Sequence, residues 1–264
     1  MKPTPHRLLD HRNRTLERLN TGAPVFGLFL LSASSFLAEA CSTLPLDWLM
    51  VDGEAGAFSK GDVLHMLQAM GGSDVTPMVR VSHLDRHTIE HALDVGAFGV
   101  LVPKVDTAEE AVDAARFCRF PPRGARGINP VRASGYFSDV PGYLAAANAR
   151  TLCMVQIESA QAVENVNAIA AVPGVDVLFI GMGDLAASFG QPGVVVGERM
   201  DEACERVLAA CRAHGKVPGI FAYGLDLAGR YVDQGFRFIA IGNEIKLLRE
   251  GVTRSLAVLR PDSA

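Results

Sequence analysis

The sequence predicts an α/β chain of the (β/α)8, or TIM barrel, class. Three observations carry that expectation. Apolar runs of strand length alternate with helix-period segments from Pro24 to Leu259; eight of each can be counted; and 264 residues are about what one such barrel requires. An open doubly wound sheet competes less well, because each strand has its own following helix and no GxGxxG fingerprint follows the first strand. No Pro/Ser-rich linker or charge block divides the chain, so residues 1–264 read as a single barrel domain, with 1–22 as an N-terminal helix and lead-in.

Residues 6 to 20 carry Leu8, Leu9, Leu16 and Leu19 at helical spacing among charged residues, the pattern of a short amphipathic helix covering one end of the fold. Strands are then predicted over Pro24–Leu31, Asp47–Glu54, Thr76–Ser82, Gly99–Val105, Leu152–Glu158, the apolar run ending Gly-Met-Gly-Asp184, Val217–Tyr223 and Phe236–Gly242. Helices are predicted over Ser35–Leu44, Lys60–Met70, Asp85–Val95, Thr107 to about Phe120, Ala160–Ala171, about Met200–His214, Leu225–Gln234 and about Ile245–Leu259. Thr107 opens its helix with the capping-box pattern Thr-x-x-Glu. Between Pro121 and Arg150 lies an irregular, Gly-, Pro- and Arg-rich insertion, read as a functional loop at the rim.

A net charge of -4 gives no reason to expect nucleic acid or an anionic membrane as partner. Five cysteines, without CxxC spacing and mostly in apolar segments, fit reduced and buried thiols. No apolar run approaches a membrane span and the polar N-terminus lacks a signal peptide's apolar stretch, so a cytoplasmic location is expected.

The stretch from Leu152 to Gly190 organises the chemistry. Its first strand ends in Glu158 and its second leads into Asp184; parallel strands of successive βα units exit at one edge of the sheet, so the two acids are expected side by side on one rim. Two such carboxylates can hold a hard divalent cation. Glycines around Met182 allow close backbone approach, and N–H groups opening the next helix suit a substrate carboxylate. The plainer alternative is that Asp184 merely caps that helix. Other polar residues at strand ends are Asp52, Glu54, Arg80, Lys104, Gln156, Tyr223, Asn243 and Glu244. Arg80, between Val79 and Val81, is a candidate to hold a substrate oxygen, or else the partner of Asp52 or Glu54 in a buried salt bridge. Lys104, after a proline in VLVPKV, offers a Schiff-base alternative, although nothing in the sequence shows a lowered pKa.

The motifs DWLMVDGE, MVRV, GVLVPKV, FPPRGARG with RASGY, VQIES and LFIGMGDLAASFG occur in this order, and the combination resembles the HpcH/HpaI family of class II pyruvate aldolases from about Pro24 to the last helix. That resemblance implies a barrel enzyme that makes or breaks a carbon–carbon bond through a pyruvate enolate on a divalent metal, Mg²⁺ or Mn²⁺. It implies Glu158 and Asp184 as metal ligands, with Arg80 steadying the keto oxygen and enolate charge. Gln156 becomes a polar neighbour of the metal, and the N–H groups of Gly183 and Asp184 become the carboxylate site. Asp85 falls in a loop that reaches a neighbouring subunit's site in relatives, and the family implies a homo-oligomer, commonly a hexamer.

One departure matters. Relatives carry a histidine after the acid of the second strand that works with Asp52's counterpart as acid/base, whereas this chain reads Asp52-Gly53-Glu54-Ala55-Gly56. Alanine cannot move a proton, so Glu54, His83 or metal-bound water would take over, or the reaction differs; His83 reads better as an exposed loop residue. The departure, the RASGYF loop and GMGDL also look similar to a branch that works as a citrate synthase in siderophore assembly, condensing acetyl-CoA with oxaloacetate. In that reading Arg119, Arg123, Arg126 and Arg132 of the insertion would meet CoA phosphates, or simply face solvent or another subunit. A non-catalytic oxo-acid-binding protein is the third possibility.

Overall fold

A computed structural model describes residue 10 and residues 12–260. The elements run α1 (Arg14–Asn20), β1 (Val25–Leu30), α2 (Ser35–Ser42), β2 (Trp48–Asp52), α3 (Lys60–Ala69), β3 (Thr76–Arg80), α4 (Arg86–Asp94), β4 (Gly99–Val102), α5 (Ala108–Cys118), α6 (Val140–Arg150), β5 (Leu152–Ile157), α7 (Ala160–Glu164), α8 (Val166–Ala170), β6 (Val177–Ile180), α9 (Met182–Ser188), α10 (Glu198–His214), β7 (Val217–Phe221), α11 (Leu225–Gln234), β8 (Phe238–Asn243) and α12 (Glu244–Leu259). The eight strands are all parallel and close in sequence order, β8 pairing back onto β1. That is the predicted barrel, and the open sheet is excluded.

Strand residues alternate between two cores, as a period of two demands. Val25, Phe29, Trp48, Met50, Met78, Leu101, Leu152, Met154, Val177, Phe179, Phe238 and Ala240 fill the barrel's interior. Their alternates, among them Leu28, Leu49, Val51, Val79, Val100, Val155 and Ile180, pack outward under the helices. Inward parity continued toward the strands' C-terminal ends falls on Asp52, Arg80, Gln156, Glu158 and Tyr223, so the mouth is polar. Lower down, Gly27 makes room for Trp48: a Cβ there would stand 2.2 Å from the indole, which itself stacks on Phe238 at 4.4 Å.

The amphipathic N-terminal segment closes the opposite end. Asn13 caps α1 by accepting from the Leu16 N–H, and its amide donates to the carbonyls of Phe98 and Arg150 at 3.1 and 2.7 Å. Leu19 enters the interior core. Leu8 and Leu9 lie outside the described residues.

Three expectations need correction. The insertion is not wholly irregular: Asp139 caps α6, with Pro141 in its first turn. Nor does it sit at the mouth. It joins the end of α5 to the start of β5, so it lies against the closed end and flank, where the Ala133 N–H donates to the Asp94 carbonyl and Arg132 donates to the carbonyls of Val95 and Leu67. The helix expected over Ala160–Ala171 breaks at Asn165 into α7 and α8.

All five cysteines are free and buried. Among the described residues no helix is long and apolar enough to cross a membrane.

Candidate active site at the barrel mouth

β2 and β3 place their last residues opposite one another, Asp52 against Arg80. The Asp52 carboxylate is 1 % exposed and is gripped from two sides. Arg80 Nε and Nη2 donate to its Oδ1 and Oδ2 at 2.8 and 2.6 Å, while the N–H groups of Glu54 and Ala55 reach Oδ1 at 3.2 and 3.1 Å. Arg80 Nη1 turns to Glu54 Oε2 at 2.8 Å and Gln156 Oε1 at 3.4 Å, and the guanidinium lies 5.2 Å over the Phe29 ring. Burial lowers the Arg80 pKa, but the hydrogen bond and charge of Asp52, helped by Glu54 and Glu158, outweigh it and leave the guanidinium more basic than usual. The two readings of Arg80 therefore coincide: it is a salt-bridged residue and it faces the mouth.

The acids ending the next strands converge as expected. β5 and β6 pair Ile157 with Ile180, which brings Glu158 beside the Gly181–Asp184 turn. Glu158 is 4 % exposed; it accepts the Lys104 N–H at 2.9 Å through Oε1 and the Gln156 amide through Oε2. Lys104 presents that N–H from a left-handed backbone, φ 54°. Gly181 is required for the approach, since a Cβ there would stand 2.4 Å from Glu158 Oε2 and 2.5 Å from Gln156 Nε2. The third acid is Glu54. Oxygens of Glu54, Glu158 and Asp184 lie within 4.8 Å of one another.

These donors suit a divalent cation. Among the described residues the ion pairs of this cluster are Arg80 with Asp52 and Glu54 and Lys104 with Glu54, so four carboxylates (Asp52, Glu54, Glu158, Asp184) stand against two cationic side chains, and carboxylate oxygens are what a hard ion prefers. Glu158 responds first to its burial and then to that excess of carboxylates. Burial pushes its carboxyl up to about 7; the Lys104 N–H opposes this, and the charges of Glu54 and Asp184 add to it. Because the folded pKa lies above the ordinary 4.5, the proton on Glu158 favours the fold, and this favour is lost as pH rises from 4.5 through about 7. A cation needs the deprotonated form, so its affinity is expected to rise with pH and level off above about 7, with proton release at pH 6 and little at pH 8. Mn²⁺ calorimetry in buffers of different ionisation enthalpy checks this; affinity independent of pH across that window would contradict it.

The cavity above these groups, about 230 Å³, is lined by Phe29, Phe179 and Phe221 at its floor and by Asp52, Ala55, Arg80, Gln156, Glu158, Gly183, Asp184, Tyr223 and Asn243. Asp184 is not the cap of α9, which starts at Met182 with Gly181 before it; the acid sits in the first turn, where N–H groups have no intrahelical acceptor. Gly181→Ala is expected to push Glu158 aside and weaken Mn²⁺ binding at least about tenfold with little change in Tm, because the obstructed atoms are mostly side-chain ends.

Other sequence-predicted residues lie apart. Lys104 Nζ is exposed and pairs with Glu54 at 3.7 Å, which is not the desolvated setting a Schiff-base lysine needs. Asp85 caps α4 through the Thr88 N–H and does not line the cavity. His83 is exposed and bonded to Ser82. Glu244, buried below the rim, accepts the N–H groups of Leu31 and Ser32 at 2.7 Å each. Of the insertion's arginines, Arg119 donates to Asp176, Arg126 to Asp94 and Tyr143, and Arg132 to backbone carbonyls; all three are buried, and only Arg123 is exposed. They are spent on the fold and do not reach the mouth.

Comparison with known proteins places this geometry. The chain is 40 % identical over 237 residues to a 4-hydroxy-2-oxovalerate aldolase of Rhodococcus jostii, covering 89 % of this chain and 92 % of the relative. It is 36 % identical over 244 residues to a 2-keto-3-deoxy-L-rhamnonate aldolase of Klebsiella pneumoniae, covering 92 and 91 %. Among solved structures, an HpcH/HpaI aldolase/citrate lyase family protein of Burkholderia cenocepacia superposes with a TM-score of 0.89 at 36 % identity, over 94 % of this chain and 99 % of that one. The citrate synthase SbnG superposes with a TM-score of 0.83 over 93 and 96 %, but at 24 % identity that likeness speaks for the fold alone. With the family model for HpcH/HpaI aldolase/citrate lyase matching residues 25–251, the chain belongs to the HpcH/HpaI family.

Proposed function

We propose that this chain is a carbon–carbon lyase of the aldolase type that acts on a pyruvate-like 2-oxo acid with Mg²⁺ or Mn²⁺. The observation that carries the reading is the convergence of Glu54, Glu158 and Asp184 next to Arg80 in a closed barrel's mouth. Glu158 and Asp184 hold the cation, with Glu54 the third carboxylate within reach. When bound, the cation stabilises the negative charge that the keto oxygen develops as the enolate forms.

The protein's own groups do the rest. Arg80, whose bonds to Asp52, Glu54 and Gln156 leave one Nη2 N–H over, faces the same oxygen with that donor and its charge, and Asp52, with both oxygens occupied, holds the guanidinium in place. The first-turn N–H groups of Gly183 and Asp184 receive the substrate carboxylate. Gln156 ties Arg80 to Glu158, so the two sides of the site move together.

The test is exchange of pyruvate's methyl protons into deuterated water, followed by NMR. Exchange only with added Mg²⁺ or Mn²⁺ is expected; none under any condition would leave the protein an oxo-acid binder at most. Ala55 in place of a histidine keeps a condensing reaction of acetyl-CoA with oxaloacetate as the second reading, and release of free thiol from that mixture would favour it.

The proposal includes a homo-oligomer, a hexamer by family resemblance. Support comes from α12, which exposes Leu248, Val252, Leu256, Val258 and Leu259 along its length, an apolar face of the kind that another copy would cover. Asp85, which caps α4 and does not line this chain's own cavity, would serve a neighbouring copy in such an assembly.

A further inference from the structure

The mouth lacks a polar group at Ala55, yet a carbon–carbon lyase needs one near the oxygen of the aldehyde that it adds or releases. Most polar side chains there already bond one another or are assigned to the cation and the pyruvate end: Asp52, Glu54, Arg80, Gln156 and Glu158 form one connected cluster. Tyr223 is different. It stands at inward parity two residues beyond β7 and lines the same cavity as Ala55 and Asp184, and among the described residues its hydroxyl has no hydrogen-bond partner. The ring is held by Phe221 at 5.0 Å and by Lys246 Nζ lying 5.3 Å over it. Its oxygen comes within 3.3 Å of where a Cβ on Gly183 would be, over the first turn of α9. At 42 % exposure it bridges the buried cluster and the solvent, which is where an acceptor must enter.

We propose that the Tyr223 hydroxyl is the donor that meets the acceptor's carbonyl oxygen, in the role that Ala55 leaves without a polar group. A phenol is a neutral O–H, able to donate, at the pH at which the enzyme would be assayed. In the addition direction the enolate's methylene carbon forms a bond to the aldehyde carbon, and the aldehyde's C=O π pair moves onto oxygen. Tyr223 stabilises that alkoxide by a hydrogen bond while water at the rim supplies the proton. Cleavage runs in reverse, the hydroxyl proton leaving to water and the C–C pair returning to the enolate. This inference rests on the reading of the site given above, and it concerns the bond-making half of the reaction.

The experiment compares two rates in one enzyme: metal-dependent pyruvate proton exchange, and addition of pyruvate to acetaldehyde, glycolaldehyde or succinic semialdehyde. Absence of exchange in the parent enzyme would defeat the lyase reading itself. Exchange without addition to any of the three aldehydes would instead overturn the role given to Tyr223. In Tyr223→Phe the ratio of addition to exchange is expected to fall at least about tenfold through kcat. Introducing Ala55→His into that variant should recover much of the ratio, because an imidazole would again face the acceptor oxygen. A ratio unchanged in Tyr223→Phe, or addition and exchange falling together without recovery by Ala55→His, would overturn the proposal.

Discussion

Glu158→Gln is expected to abolish metal-dependent proton exchange and to weaken Mn²⁺ binding by more than about a hundredfold, since loss of a direct ligand should exceed the 10- to 100-fold typical of its supporting partners. The replacement is the same size, so the fold should survive it. Stability should move the other way. Holding Glu158 ionised against a pKa raised from 4.5 to about 7 costs on the order of 3 kcal/mol above neutrality, and glutamine carries no such cost. The metal-free variant should therefore melt at or above the parent's Tm at pH 8, with no advantage at pH 4.5, where the parent's carboxyl is protonated. Exchange by NMR and calorimetric melting at the two pH values check both halves. Undiminished exchange would reject Glu158 as a ligand, and a lower Tm at pH 8 would reject the account of its charge. The outcome would show a site that gives up stability to keep a cation's place ready.

Arg80→Ala is expected to remove activity and stability together. Asp52 would be left buried at 1 % exposure with only two backbone N–H groups, and breaking a buried pair by deleting one partner costs about 3–5 kcal/mol. A fall in Tm of roughly 10 °C follows for a domain of this size. Two further variants separate the roles. Arg80→Lys can still reach Asp52 with one ammonium but cannot span Asp52, Glu54 and Gln156, so it should keep most of the stability while turnover falls about 10²- to 10³-fold. Arg80→Ala combined with Asp52→Asn removes the stranded charge, and should regain stability without activity. Recovery of activity in that double variant would dismiss Arg80 from the chemistry.

How far such variants could have been chosen from the sequence depends on which rule each residue obeys. In β5 the run Leu152, Met154, Gln156, Glu158 alternates with Cys153, Val155, Ile157, so the polar pair is inward by parity alone. The same count places Asp52 after Trp48 and Met50, Arg80 after Met78, and Tyr223 after Phe221. Tyr223 was visible as a strand-end residue, but nothing local said that its hydroxyl would be left unpartnered over Gly183.

The insertion lies where the order of elements puts it. Its length and its Gly, Pro and Arg content suggested a rim loop, whereas its place in the order of elements, after a helix and before a strand, puts it at the end away from the mouth. Connectivity outranks composition there. Its arginines look like a basic surface in the sequence, yet Arg119, Arg126 and Arg132 are buried against Asp94, Asp176 and backbone carbonyls contributed by distant elements, and only Arg123 among the four faces solvent.

Taken alone, the chain's pattern of apolar periods was enough for the closed barrel, the order of its strands and the inward polar residues at their ends, because periodicity is local and a parallel βα array closes in few ways. What the tertiary structure alone decided is how charge is shared: that Glu54 joins Glu158 and Asp184, that Asp52 is consumed by Arg80, and that the Lys104 backbone turns to meet Glu158. Those outcomes depend on strand register and on distances of a few ångströms between residues far apart in the chain, over which electrostatic interactions change sharply and local patterns carry no information.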